Sequence, residues 1–312
     1  MPVKQFWLIV SACLLLAVAR PVIAGAEGED SLLVMFWNLE NYFDWRQGNH
    51  PQNTWSRSKF KRKGRAIAKA VLWIADSEGM MPDLIGVAEI ENRRVLEMLL
   101  RDTPLYKAGY GIVHYDSPDP RGIDVALLYR KPRLVLLGSK PLRAGDGTRD
   151  ILLAEFLRPG GDSLAIFVNH HPSKYGGGPS AKRREFAMNR LKDATDSIRG
   201  TGFSQVVAMG DFNDTPESTA EYSRIMANLA APLAANGEGT IKYSGKWEMI
   251  DMFFISKTLL ERNPGVRMKA VRVPFLMTRD SGHSGEKPLR TYNVPGYAGG
   301  VSDHCPITLV IQ

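Results

Sequence analysis

Short apolar runs alternate with amphipathic segments along most of this 312-residue chain. A run of four to eight apolar residues between turn residues indicates a buried strand. The runs predict strands at residues 32–38, 83–90, 111–115, 124–130, 134–137, 151–156, 164–170, 206–209, 249–255 and 306–311.

Helical spacing appears between several of these strands. Phe60, Gly64, Ile67, Val71 and Ile74 recur at the period of one helix face, with Lys and Arg on the other face. Further helices are expected at residues 93–101, 181–198 and 217–229. Many strands with interspersed helices predict an α/β or α+β sandwich. Because helices do not follow every strand, the pattern disfavours a regular eightfold barrel.

The N-terminus has the pattern of a cleaved secretory signal peptide. Lys4 precedes an apolar stretch over residues 6–18, and small residues near Ala24 offer a cleavage site. We expect the signal to end at residue 24, with cleavage as late as 26, and one domain to span 27–312. The protein is then secreted or periplasmic. A lipoprotein motif at Cys13 is the less favoured alternative, because the apolar run continues past that residue.

Composition adds two constraints on the mature chain. Loss of Cys13 leaves Cys305 alone, which excludes an internal disulfide, and no Cys/His spacing indicates structural zinc. Without Lys4 and Arg20 there are 38 basic and 33 acidic residues, a net charge of +5. This charge favours polyanion binding without specifying the partner.

Polar side chains stand where the apolar strands end. The stretch from Gly210 to Pro216 follows one buried strand, and its Asp211 and Asn213 are two residues apart, so an extended chain places them on one face. Acids at strand ends are costly to bury unless they are paired or bind a metal. The other strand-end residues are Asn38, Glu40, Glu89, Asn169, His170, His171, Asp251, Ser302, Asp303 and His304.

These segments, from Phe36 to Ile311, resemble the endonuclease/exonuclease/phosphatase superfamily. The Gly-Asp-Phe-Asn stretch and Ser302-Asp303-His304 carry the resemblance, together with the early Asn38 and Glu89. Exported bacterial members are similar in layout. The resemblance implies an α/β four-layer DNase-like sandwich, in which two mixed sheets pack face to face between helices. It also implies hydrolysis of a phosphoester with a divalent metal, usually Mg²⁺, with Mn²⁺ or Ca²⁺ as alternatives.

The resemblance also implies roles for individual residues. Asn38, Glu89 and Asp303 correspond to metal-site residues. Asp211 corresponds to the residue that orients or deprotonates the attacking water. Asn213 would hold a phosphate oxygen or the metal shell.

Two further groups belong to the same implied site. Asp251 and His304 correspond to an acid–imidazole pair, in which the imidazole acts as a base or binds the phosphate. In the pattern Asn-any-His, His171 is the match and is expected to stabilise the phosphate in the transition state, with His170 structural. Arg121 is a candidate phosphate ligand.

The leading hypothesis is a metal-dependent endonuclease acting on DNA or RNA. A phosphomonoesterase or a phospholipase C-like hydrolase of phosphoinositide or sphingomyelin type is the same-fold alternative. A catalytically inactive polyanion-binding module is a third hypothesis, disfavoured by the complete acid set. The basic run 57–63 indicates a solvated helix face, whereas the loops at 174–178 and 275–300 are expected to shape substrate access.

Overall fold

The computed structural model describes residues 31–46, 55–293 and 296–312. The predicted signal peptide and the motif at Cys13 lie outside these residues. Within the described ranges, none of the helices combines the length and the apolar character needed to cross a membrane.

Strands dominate the described chain. They are β1 (Leu32–Tyr42), β2 (Leu84–Ile90), β3 (Tyr110–His114), β4 (Asp124–Arg130), β5 (Val135–Leu142), β6 (Ile151–Leu157), β7 (Ser163–His170), β8 (Gln205–Asp211), β9 (Met226–Asn228), β10 (Ile241–Tyr243), β11 (Lys246–Glu248), β12 (Asp251–Ser256), β13 (Met268–Ala270), β14 (Met277–Arg279), β15 (Glu286–Pro288), β16 (Tyr292–Asn293), β17 (Gly296–Tyr297) and β18 (Ile307–Ile311). The α-helices are α1 (Arg57–Glu78), α2 (Arg93–Asp102), α3 (Gly177–Gly200), α4 (Ala220–Ser223), α5 (Ala231–Ala235) and α6 (Lys257–Arg262).

Two mixed six-stranded sheets form the centre of the molecule. The first has the order β13-β18-β1-β2-β4-β3 and the second β5-β6-β7-β8-β12-β9. Their facing side chains form one apolar core; Phe36 of β1 and Met209 of β8 approach each other across Gly86 of β2. The predicted sandwich of two face-to-face sheets is confirmed.

Helices cover the outer faces. Helix α1 begins at the N-cap Ser56, whose side chain accepts a hydrogen bond from the Lys59 amide, and ends at Gly79 in the left-handed conformation. The apolar sides of α1 and α2 pack on the outer face of the first sheet, and their buried residues form a second core with β1 and β2. Helix α3 contributes its apolar residues Ala187, Leu191 and Ile198 to the larger core.

One predicted element is wrong. The helix expected at 217–229 is limited to α4, and the chain then forms β9, which pairs with β12 at the edge of the second sheet. Pairing gives the backbone of Phe254 and Ile255 partners on its outer side, which an isolated helix would not supply. Helix α3 also begins four residues before its predicted start. The long connection at 275–300 contains two hairpins, β14–β15 and β16–β17.

Candidate active site

The strand-end residues meet at one end of the sandwich, between the two sheets. Asp211 of β8 is aligned with His170 on parallel β7 and with Asp251 on antiparallel β12. Because aligned residues of neighbouring strands share a face, these three side chains project together. Asp211 lies two residues after Met209 on β8 and so shares its face, which is directed towards the first sheet. His170 and Asp251 therefore project in the same direction. All three residues are buried.

Asp211 is the centre of this group. One carboxylate oxygen, Oδ2, accepts a hydrogen bond from Asn38 Nδ2 at 3.1 Å, and Oδ1 accepts from the Asn213 backbone amide at 2.9 Å. The Nε2 atoms of His170 and His304 lie 3.6 and 3.8 Å from Oδ2. Burial raises the pKa of Asp211 to about 7, with the His304 charge acting in the opposite direction.

Gly210 is required for space at this strand end. A Cβ atom there would collide with the carbonyl group of Asn169 and lie 2.6 Å from its Cβ. The two strands can therefore lie at normal pairing distance only if this position has no side chain. The φ of Gly210 lies outside the left-handed range, so it is space and not backbone conformation that requires glycine here.

Glu89 reaches the site through a local irregularity. The pairing of β2 with β4 shifts between Ala88 and Ile90, and Glu89 adopts a φ of 58°. Regular alternation would place its side chain on the outer face of the sheet, away from Asp211. In the observed conformation Glu89 Oε1 accepts from Asn38 Nδ2 at 3.3 Å, and Oε2 accepts from the Asn41 amide at 2.9 Å.

Asp251 and His304 form the expected acid–imidazole pair. His304 Nδ1 lies 2.8 Å from Asp251 Oδ2, which leaves Nε2 directed towards Asp211. Burial alone lowers the pKa of His304, but the carboxylates of Asp251, Asp211 and Asp303 together raise it well above the usual value. The neighbouring carboxylates therefore favour the charged form of the imidazole.

A second charged group adjoins the site on the side of the first sheet. Arg290 bonds Glu40 at 2.7 Å and Asp303 at 3.2 Å, so one guanidinium joins two carboxylates. Buried Lys63 donates to the Glu40 carbonyl and to Thr291 Oγ1, both at 2.6 Å. Burial, reinforced by Asp303, raises the pKa of Glu40 to about 7, whereas burial lowers that of Lys63 to about 8.

The two histidines exchange the positions expected from the sequence. His170, expected to be structural, lies with Nε2 3.7 Å from Glu89 and 3.6 Å from Asp211. His171 packs its ring edge against Phe212 at 5.0 Å, and its buried Nε2 has no hydrogen-bond partner. Strand β7 continues in register to His170, so alternation directs His170 inwards and turns the His171 ring away. Burial lowers the pKa of both rings, to about 3 for His171.

Asn213 and Arg121 lie beside the centre rather than within it. The Asn213 side chain donates to the His171 carbonyl at 3.1 Å, which fixes the turn after β8. Arg121 pairs with Asp119 at 3.0 Å, and 51% of its side chain is exposed. Its charge helps to lower the pKa of His170, which places it within electrostatic reach of the site.

Arg149 holds the backbone at the end of β7, next to the two histidines. Its buried guanidinium donates to the carbonyls of His170 and His171, and it bonds Asp119 at 2.9 Å. Asp119 in turn holds Arg121. One buried cation therefore positions both the histidine strand end and the exposed arginine.

The sequence interpretation missed four residues of this arrangement: His170 as a site group, Arg290, Lys63 and Arg149. For His170 the signal was present in the sequence, because the strand predicted at 164–170 ends at this residue. The roles of the other three depend on contacts between distant residues, such as those of Arg290 and Lys63 with Glu40 and of Arg149 with His170, which no spacing rule encodes.

The donor set suits a hard divalent cation. Asn38, Glu89 and Asp303, the predicted metal residues, offer amide and carboxylate oxygens, which Mg²⁺ prefers. Asp211, Asp251 and His304 have ligand atoms within 4.8 Å of one another. The raised pKa of Asp211 is a separate sign of fit, because a cation would stabilise the ionised form that burial disfavours.

Comparison with known proteins agrees with the fold. The structure of D. rerio TDP2 complexed with a single-strand DNA product has a TM-score of 0.55 and 16% identity, covering 90% of this chain and 99% of that one. The human Nocturnin catalytic domain with a bound sulfate anion gives 0.57 and 17%, covering 91% and 94%. A mannosyl-6-phosphatase from Bacteroides thetaiotaomicron gives 0.57 and 16%, covering 90% and 100%. No curated protein sequence matches the chain.

A sequence profile of one family matches nearly the whole described chain. The match runs from residue 33 to residue 312 and so includes every strand end described above. The chain belongs to the Endonuclease/Exonuclease/phosphatase family.

Proposed function

We propose that this protein is an exported, divalent-metal-dependent phosphodiesterase that hydrolyses the phosphodiester bonds of nucleic acid. The observation that carries the proposal is the environment of Asp211. It is a buried carboxylate with a pKa of about 7 that lies beside the His304 imidazole and accepts a hydrogen bond from the Asn38 amide. A carboxylate with this pKa can accept a proton from water near neutral pH.

The residues of the proposed metal site would act on the phosphate through the cation that they hold. Asn38, Glu89 and Asp303 would hold Mg²⁺, with Mn²⁺ and Ca²⁺ as alternatives. When bound, a divalent ion neutralises phosphate charge and stabilises the attacking and leaving oxygens. Arg290 keeps the Asp303 carboxylate in place through their 3.2 Å contact.

The chain's own residues account for the proton movements. Asp211 orients a water and takes one of its protons as the water oxygen forms a bond to phosphorus. The bond to the leaving oxygen breaks, that oxygen keeps the electron pair, and it takes a proton from solvent. Charged His304, held by Asp251, donates a hydrogen bond from Nε2 to a non-bridging phosphate oxygen. Neutral His170 adds a second donor from Nε2.

Nucleic acid is the substrate class that the charge pattern favours. Arg121 and Arg290 stand beside the site with about half of each side chain exposed, where they can meet phosphates. The bound DNA of D. rerio TDP2 is consistent with this choice. The Bacteroides mannosyl-6-phosphatase keeps the phosphomonoesterase alternative among the outcomes to be tested.

A substrate panel tests the proposal. The purified protein is incubated with Mg²⁺ or EDTA on plasmid DNA, single-stranded DNA, RNA, p-nitrophenyl phosphate, phosphatidylinositol phosphates and sphingomyelin. We expect Mg²⁺-dependent cleavage of nucleic acid, lost in Asp211→Asn and retained in Asp193→Asn, an exposed matched control. Turnover of only the monoester or only a lipid would refute the nuclease assignment. If no substrate shows turnover that depends on Asp211, the proposal that the protein is a phosphoester hydrolase is refuted.

A further inference from the structure

Basic side chains of α1 face aromatic rings next to the site. Lys59 Nζ lies 5.5 Å from the ring centre of Tyr292 and 4.8 Å from that of Tyr297. The Arg62 guanidinium lies 5.9 Å from the Tyr297 ring, and that of Arg57 lies 5.5 Å from the Trp45 ring. We call this group, Trp45, Arg57, Lys59, Arg62, Tyr292 and Tyr297, the aromatic–basic surface.

The aromatic–basic surface begins where the active site ends. Tyr292 opens the β16–β17 hairpin and follows Arg290 and Thr291 directly. Arg290 contacts Asp303, and Thr291 accepts a hydrogen bond from buried Lys63. The aromatic–basic surface therefore adjoins the side of the site that Arg290 occupies.

The positive charge of this surface is only partly neutralised. Within the described ranges, no ion pair includes Arg57 or Arg62, the two arginines of this surface. Both arginines are exposed, and the rings of Trp45, Tyr292 and Tyr297 are partly exposed. Cations that lack carboxylate partners are available to contact phosphates.

Aromatic rings can stack on bases, and cations can contact phosphates. Their combination suits the binding of an unpaired strand. Proteins bind single-stranded nucleic acid with a basic groove and aromatic side chains on which bases stack, whereas a duplex offers no unstacked base. A lipid surface would call for protruding apolar side chains, but these rings lie against cations. We infer that the aromatic–basic surface binds the single-stranded nucleic acid that flanks the scissile phosphate, an inference that rests on the proposed function for its placement of the substrate.

The arrangement has an alternative explanation, which the test must separate. The contacts between cations and rings could serve only to attach the β16–β17 hairpin, which has two residues per strand and is too short to be stable alone. In that case replacement of the rings would reduce stability but would leave strand binding unchanged in the folded variant.

Fluorescence anisotropy in EDTA measures binding without turnover. The probes are a labelled twelve-nucleotide single-stranded DNA, the RNA of the same sequence, the matching duplex, and vesicles of anionic phospholipid. The variant Tyr292→Leu/Tyr297→Leu keeps apolar packing and removes the aromatic faces. Tyr106→Leu is the control, because Tyr106 is 63% exposed and carries Lys107 at 5.8 Å from its ring, far from the site in sequence.

We expect the double variant to lose on the order of tenfold or more in affinity for single strands. Duplex affinity should change less, and the control should match the wild type. If the double variant unfolds, Arg62→Ala replaces it. We then expect the slope of log Kobs against the logarithm of the salt concentration for single-strand binding to decrease in magnitude by about 0.7. The DNA and RNA arms show which sugar the surface prefers.

Unchanged single-strand binding by the folded variant, an equal loss for duplex, or binding to vesicles alone overturns the inference. Hydrolysis of bis(p-nitrophenyl) phosphate is measured in parallel, because this small diester cannot reach the aromatic–basic surface. If the wild type does not hydrolyse this diester, the proposed function is overturned, and the binding result stands by itself. If the wild type hydrolyses the diester and the double variant binds single strands as tightly as the wild type, only the inference is overturned.

Discussion

Asp211 shows how one residue can couple burial to chemistry. Its carboxylate is buried at the inner end of β8, and burial raises its pKa to about 7 although Asn38, the Asn213 amide and charged His304 favour ionisation. The folded protein therefore binds a proton here between pH 4 and 7 that the unfolded chain releases. By linkage, stability falls as pH rises through this interval.

Replacement of Asp211 by Asn should remove this loss of stability. At pH 8 in EDTA we expect the free energy of unfolding of the variant to exceed that of the wild type by roughly 1–4 kcal/mol. At pH 4 the two should agree closely, since the aspartate is then protonated in the folded state. Urea unfolding across pH 4–8 measures the difference, and a difference independent of pH would contradict the assigned pKa.

The placement of the two histidines gives a second prediction at this scale. His170 lies beside Asp211 and Glu89, so His170→Gln should lower kcat on a chromogenic phosphodiester by about 10²-fold or more. His171 contacts Phe212 and is neutral, so His171→Gln should keep kcat within a few fold and lower stability by about 1–2 kcal/mol. Steady-state kinetics and urea unfolding of both variants decide; the reverse pattern would restore the prediction made from the sequence.

At the scale of elements, strand geometry delivers the side chains to the site. Register alone aligns His170, Asp211 and Asp251, whereas Glu89 depends on the irregularity in β2. The close approach of β7 and β8 at Gly210 belongs to the same geometry. Small backbone changes at these strand ends should therefore affect the fold and the site together.

Gly210→Ala tests this dependence. Because the new methyl group meets the Asn169 backbone rather than a flexible side chain, we expect destabilisation of about 3 kcal/mol or more. Gly178→Ala is the matched control: it lies in α3 with nothing within 4 Å, and it should stabilise by about 0.4–1 kcal/mol. Equal effects of the two substitutions on urea unfolding would contradict the packing described for Gly210.

The elements that were predicted from sequence are those whose signal is local. Apolar runs identified the central strands, and the polar residues after the run at 206–209 identified a strand end. The expectation that Asp211 and Asn213 share one face of an extended chain was wrong, because β8 ends at Asp211 and Asn213 has a φ of 49°. The segment at 217–229 was predicted as a helix because pairing of β9 with β12 is a long-range contact that no local pattern records. His170 differs from these elements, because the pattern Asn-any-His selects His171 whereas the register of β7 aligns His170 with Asp211.

At the scale of the whole molecule, two sheets bring distant acids to one place. Asn38 and Asp303 are separated by most of the chain, but Ser302, which directly precedes Asp303, donates a hydrogen bond from its hydroxyl to the Asn38 carbonyl at 2.6 Å. Family membership supports hydrolase chemistry. The proposed metal site at Asn38, Glu89 and Asp303 comes from the resemblance, and the oxygen donors of these residues suit it. The positive charges of Lys63 and Arg290 offset part of the negative charge of this acid cluster.

Metal binding should therefore stabilise the folded protein independently of turnover. At pH 8, Mg²⁺ at a hundredfold excess over its dissociation constant should raise the free energy of unfolding by about 2.7 kcal/mol. Glu89→Gln/Asp303→Asn should abolish the rise, and Asp193→Asn should keep it. Thermal unfolding with and without Mg²⁺ provides the measurement, and a rise that persists in the double variant would place the cation elsewhere.

The central claim is that Asp211 works with a divalent metal to hydrolyse a phosphodiester. The most direct measurement is kcat/KM for bis(p-nitrophenyl) phosphate with Mg²⁺, compared among the wild type, Asp211→Asn and Asp193→Asn, and repeated in EDTA. We predict that Asp211→Asn loses about 10²–10⁴-fold, that Asp193→Asn matches the wild type, and that EDTA abolishes turnover. An Asp211→Asn variant within a few fold of the wild type, or turnover that persists in EDTA, would contradict the claim.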